Sequence, residues 1–114
     1  MRSLILLLLA ACGPVVASTT HTNEGALCLA EDGTLNLDFG VCLSSSCDSV
    51  TSQSCTVITD ASGVQVESVL VIASELGDCT ADCGIVTMTC GDAPLEVTEV
   101  TYGGETVPLE PCGS

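Results

Sequence analysis

Apolar and polar residues alternate along this chain in short spans, and none of the spans has helical periodicity. Leu35, Leu37 and Phe39 alternate with Thr34, Asn36 and Asp38, which predicts a half-buried strand after the turn signal Glu31-Asp32-Gly33. Ala26–Ala30 is a short apolar run just before that turn. The β-branched stretches Thr56–Thr59 and Val64–Ala73 flank Asp60-Ala61-Ser62-Gly63, a hairpin signal. Inside the second stretch, Val69-Leu70-Val71-Ile72 is continuously apolar, the pattern of a strand covered on both faces. Ile85–Cys90 predicts another strand. Leu95–Tyr102 and Thr106–Leu109 flank Gly103-Gly104-Glu105, the best hairpin turn in the chain. Serine-rich Ser44–Ser54 reads as a stapled loop, and Ser74–Ala81 has room for one helical turn.

Two of the predicted strands echo each other. Val64, Val66, Val69 and Val71 share their spacing with Leu95, Val97, Val100 and Tyr102. In both, the alternation slips by one residue, at Glu67-Ser68 and at Thr98-Glu99, as a β-bulge would make it do. About seven short strands separated by turns predict an all-β fold, a small antiparallel sandwich or barrel-like domain.

Cysteine makes that domain disulfide-rich. Eight of the 9 cysteines lie between positions 28 and 112: Cys28, Cys42, Cys47, Cys55, Cys79, Cys83, Cys90 and Cys112. An even number in a small exported domain reads as a disulfide framework. Zinc would prefer tighter Cys-x₂-Cys pairs and usually histidine. Here the short spacings are four residues between Cys42 and Cys47 and three between Cys79 and Cys83, and the only histidine is His21. The eight fall into two groups of four, and pairing within each group would leave about nine of the roughly 105 possible arrangements. With one Phe, one Tyr and no Trp, the core is light, so the bridges decide whether the domain stays folded.

The ninth cysteine, Cys12, stands in a different setting. Met1-Arg2-Ser3 is followed by the apolar run Leu4–Ala11, far short of the ~20 residues of a membrane span. A basic start and a short apolar run are the parts of an export signal. Leu9-Ala10-Ala11-Cys12 resembles, position by position, the lipobox of bacterial lipoproteins. That resemblance implies diacylglyceryl transfer to the Cys12 thiol, removal of residues 1–11, and acylation of the new amino terminus. It also implies a lipid anchor in the cell envelope and, with Gly13 rather than aspartate after the cysteine, the outer membrane. Ordinary signal cleavage after Ala17 is the competing reading. Residues 12–25 then read as a small, polar, flexible tether, and 26–114 as the stapled β domain.

Charge narrows the partners. The only basic residue is Arg2, and all 15 acidic residues lie beyond Cys12, so processing makes the formal charge of −14 one unit more negative. A chain without lysine or arginine cannot neutralise phosphates, which excludes nucleic acid and electrostatic docking on anionic lipid. The membrane is reached through acyl chains, and any further partner is a protein or cationic ligand.

Catalysis has little to work with. A serine or cysteine nucleophile needs a base, and the one histidine falls in the tether. No phosphate loop and no His-Glu-x-x-His occurs. The expectation is a non-catalytic binding or structural module that needs no cofactor. Two alternatives stay open. Ser44–Ser54, held by Cys42, Cys47 and Cys55, could present a rigid extended loop as a small protease inhibitor does. Calcium-dependent adhesion would need clustered oxygens, for which Asp78 and Asp82 are weak candidates, as are Glu31 and Asp32 with Asn36 and Asp38.

Overall fold

The computed structural model describes residues 16–113. Cys12 and the signal segment lie outside the described residues. Among these residues the fold is all-β, and no helix is long and apolar enough to cross a membrane. The strands are β1 (Val16–Thr22), β2 (Ala26–Leu29), β3 (Thr34–Asp38), β4 (Asp48–Asp60), β5 (Gly63–Glu75), β6 (Thr87–Asp92), β7 (Glu99–Tyr102) and β8 (Glu105–Pro108).

β5 organises the larger sheet. On one side it pairs antiparallel with β4 along nearly its whole length, through the hairpin predicted at Asp60–Gly63. Its other side is shared: β1 lies antiparallel beside Val69–Glu75, and β7 lies parallel beside Gln65 and Val66. β7 turns into β8 through Gly103 and Gly104, both at positive φ, as a two-residue hairpin requires. β2, β3 and β6 form a second, antiparallel sheet. Among the described residues, β5–β7 is a parallel strand pair and Leu29 makes a parallel bridge with Pro111; the other strand pairs are antiparallel, as expected.

The sheets meet at two seams, each closed by a bridge. Cys55 of β4 is bonded to Cys90 of β6. After β8 the chain crosses to the edge of β2, where the Leu29 amide donates to the Glu110 carbonyl and the Cys112 amide to the Leu29 carbonyl. Cys28–Cys112 locks that return. Between the sheets lies a core of Leu27, Leu35, Leu37, Phe39, Val66, Leu70, Ile72, Val86, Val100 and Tyr102, with Cys55 among them.

Several sequence expectations need correction. The tether does not persist to residue 25: Val16–Thr22 is a strand, because its β-branched residues suit an extended edge and β5 offers a partner. Ser44–Ser54 is a short turn followed by the first half of β4. Ser74–Ala81 forms no helical turn. Val69–Ile72 is not covered on both faces, since Leu70 and Ile72 are buried while Val69 and Val71 are only half-buried. The slip at Glu67-Ser68 is no bulge either. β5 alternates without interruption through Val64, Val66, Ser68, Leu70 and Ile72, with Ser68 1% exposed in an inward position. The strand predicted from Leu95 begins at Glu99, and Leu95 is 94% exposed on the preceding loop.

The bridges correct the pairing expectation as well. They are Cys28–Cys112, Cys42–Cys83, Cys47–Cys79 and Cys55–Cys90, so every bond joins the first group of four to the second. The reason is topological. The spacer between the groups contains β5, the central strand, and the segments before and after it fold against one another.

Candidate functional site

Two of the bridges gather a cluster of hydroxyls. Cys42 and Cys47 bracket Ser44-Ser45-Ser46, and Cys79 and Cys83 bracket Thr80-Ala81-Asp82. The two short loops run in opposite directions, joined like rungs by Cys42–Cys83 and Cys47–Cys79. Backbone bonds continue the ladder, with Leu43 and Gly84 exchanging amide-to-carbonyl bonds of 2.9 and 2.8 Å. The side chains then cross-link: the Thr80 amide donates to Ser46 Oγ at 2.9 Å, and the Ser44 and Thr80 hydroxyls stand 3.0 Å apart. Asp82 Oδ1 accepts from the Ser45 amide at 3.2 Å and from the Thr80 hydroxyl. Asp48 accepts from the Ser44 amide at 2.7 Å and from the Ser74 hydroxyl at 2.6 Å, tying the cluster to β5.

These bonds set the electrostatics. The Ser45 and Thr80 hydroxyls, with the Ser45 amide, stabilise the ionised Asp82 and hold its pKa at about 2, against an ordinary 3.8. The Ser74 hydroxyl and then the Ser44 amide hold Asp48 below its ordinary value. Both carboxylates therefore carry a full negative charge at neutral pH. No lysine or arginine in the described residues opposes them.

Two shallow concavities flank Asp48. One, of about 410 Å³, is lined by Ser45, Ser46, Ser49 and Glu75 beside it. The other, of about 310 Å³, brings Asp48 together with Thr19, His21, Leu43, Ile72 and Ser74. A third, of about 400 Å³, lies over the second sheet at Asn36, Asp38, Thr87, Met88 and Thr89. All three are open, with polar and apolar groups mixed in their linings.

His21, Ser74 and Asp48 are the residue types of a hydrolytic triad, but their bonds run otherwise. Ser74 Oγ gives its proton to Asp48, and His21 Nδ1 approaches Glu24 Oε1 at 3.4 Å. Among the described residues no hydrogen bond joins His21 to Ser74. The arrangement braces β4 against β5; a nucleophile would need its hydroxyl bonded to the base.

No family model, curated protein or solved structure matches this chain. The chemistry of the site therefore rests on its own residues.

Of the residues singled out in the sequence, all eight domain cysteines are in bridges. Asp78 and Asp82 are not brought into a metal site, and no group of three metal-ligating side chains forms among the described residues. Asp82 is occupied by Thr80 of its own loop and by Ser45 of the facing one. Asp32 accepts from the Thr34 amide and hydroxyl, and Asp38 accepts from the Gly40 amide, so both serve turns. Asn36 accepts from Thr89 Oγ1 at 3.1 Å on the outward face. Sequence reasoning missed Asp48 and mistook the setting of His21. The only signal for Asp48 was its place directly after Cys47.

Proposed function

We propose that this chain is a bacterial envelope lipoprotein, held by acyl chains on Cys12, whose β domain acts as a non-catalytic binding or structural module. The observation that carries the reading is the lipobox resemblance at Leu9-Ala10-Ala11-Cys12. The bridges support it, because the eight cysteines of the domain pair among themselves and need no ninth. Four disulfides also suit an oxidising compartment outside the cytoplasm. The acidic surface, lacking lysine and arginine, suits attachment by lipid rather than by charge.

The protease-inhibitor alternative is drawn from Ser44–Ser54 as a rigid extended loop. Ser44–Cys47 is a closed turn, with the Cys47 and Asp48 amides both donating to the Ser44 carbonyl, and no extended loop is presented.

Intact-mass measurement of the protein purified from membranes tests the proposal. The expected mass is that of the chain from Cys12, lighter by eight hydrogens for four bridges and heavier by the acyl groups. A chain beginning elsewhere, or one without acyl groups, would overturn it.

A further inference from the structure

We propose that β1 is a self-pairing edge, through which two copies of this chain join antiparallel into one continuous sheet. Among the described residues, β1 is hydrogen-bonded to a neighbour on one side only, β5. Its other edge presents unused amides and carbonyls, which are a template for another strand.

The other edges are blunted, and β6, the outer strand of the second sheet, skips Cys90 in its register with β3. The first half of β4 carries a register break between Val50 and Ser52, and its second half is drawn against β6 by Cys55–Cys90. β8 ends in Pro108, which has no amide proton to give. The edge of β2 is taken by the returning chain at Pro111 and Cys112. β1 has none of these devices. It runs seven residues, Val-Ala-Ser-Thr-Thr-His-Thr, with no Pro or Gly, no carboxylate and an unbroken register.

Charge selects the occupant. Two copies of a chain with formal charge −14 repel wherever their carboxylates meet. β1 is a neutral strip on that surface, so copies can approach there without placing carboxylates opposite each other. Antiparallel pairing of the same strand about a two-fold axis is self-complementary and closed, so it stops at two copies. The resulting sheet has the order β4-β5-β1-β1-β5-β4. The pairing does not depend on lipid. If the anchor at Cys12 proposed above is present, it would hold copies on one surface and raise their effective concentration.

The test uses the processed chain from Cys12 carrying Cys12→Ser, folded with its four bridges, so that acylation plays no part. Sedimentation equilibrium up to about 1 mM protein, the weak end of specific association, is expected to show a reversible doubling of mass. Thr20→Asp places a carboxylate on the exposed edge of β1 and is expected to raise the dissociation constant about tenfold or more. Ser52→Asp adds the same charge on β4 and is expected to leave it within about twofold. Hydrogen exchange of the unsubstituted chain gives a second reading, with amides in Val16–Thr22 alone becoming more protected as concentration rises. A monomer at every concentration, open-ended polymers, or association equally sensitive to Ser52→Asp would overturn the proposal. So would protection of β1 only when a different protein is added.

Discussion

Asn23 completes the edge of β5 by pairing with Ser68 as though it were a strand residue. Its amide donates to the Ser68 carbonyl at 2.9 Å, and its side-chain Oδ1 accepts from the Ser68 amide at 2.9 Å. β1 covers β5 from Val69 onward and β7 covers Gln65 and Val66, so Asn23 fills the gap between them. The chain reaches this position with Asn23 at φ 52°, a left-handed conformation that asparagine tolerates better than most residues. Glu24 follows, and its carbonyl accepts the Tyr102 hydroxyl at 2.6 Å. That assignment leaves the Ser68 hydroxyl as donor to Tyr102, at 2.7 Å.

Asn23→Ala removes the acceptor for the Ser68 amide and strains the backbone. The expected loss is about 2 kcal/mol, from one unsatisfied amide and the left-handed penalty. Asn23→Gly keeps the conformation and loses only the side-chain bond, at about 1 kcal/mol. Urea denaturation of both variants checks the order; an alanine variant no weaker than the glycine variant would count against the backbone account.

The bridges differ in access, and reduction should follow access. Cys42, Cys79 and Cys83 are exposed, whereas Cys55 is buried and Cys28, Cys90 and Cys112 are half-buried. Mild reductant is expected to open Cys42–Cys83 and Cys47–Cys79 first and Cys55–Cys90 last. Alkylation followed by peptide mass mapping reads the order. Loss of any one bridge, by a paired Cys→Ala change, is expected to cost about 4 kcal/mol, since the loops closed span 32 to 84 residues.

Acid should loosen the hydroxyl cluster. Asp82 has a depressed folded pKa of about 2, so its contribution is fully present above its unfolded value near 3.8 and is lost as pH falls through about 2. Asp48, Asp32 and Asp60 are lowered by the same kind of bond, from the Ser74, Thr34 and Ser62 hydroxyls respectively. The effect is read as a difference between proteins. Asp82→Asn is expected to show a shallower fall in urea midpoint between about pH 4 and pH 2 than the unsubstituted chain. Parallel curves would remove the assignment.

If Cys12 carries the proposed anchor, Cys12→Ser is expected to move the protein out of the membrane fraction, because no thiol remains to take the diacylglyceryl group. Fractionation followed by immunoblotting reads the change. Retention in detergent-free membranes would place the anchor elsewhere.

Hairpins with a turn signature were legible in the sequence. Asp60–Gly63 and Gly103-Gly104 sit where they were read, because glycine conformations are local. The strand Thr34–Asp38 was legible because its two faces differ in solvation. β1 was not, because a threonine-rich edge strand buries almost nothing and so leaves no alternation. Ser68 disguised the period of β5, since the polar group that breaks the pattern is satisfied by a partner 34 residues away. Disulfide pairing was illegible for a related reason: Cys47 meets Cys79 only because β5 turns the chain back. The cluster around Asp48 depends on that same return.

The crossing of all four bridges over β5 also orders events in time. A chain delivered across a membrane from its amino end presents Cys28, Cys42, Cys47 and Cys55 before any of their partners. Oxidation in order of appearance would join Cys28 to Cys42 and Cys47 to Cys55, and neither bond belongs to the folded protein. No correct bond can close until Cys79 has emerged. If the chain is exported as proposed, maturation would depend either on keeping thiols reduced until the later half arrives, or on a catalyst that reshuffles early mistakes.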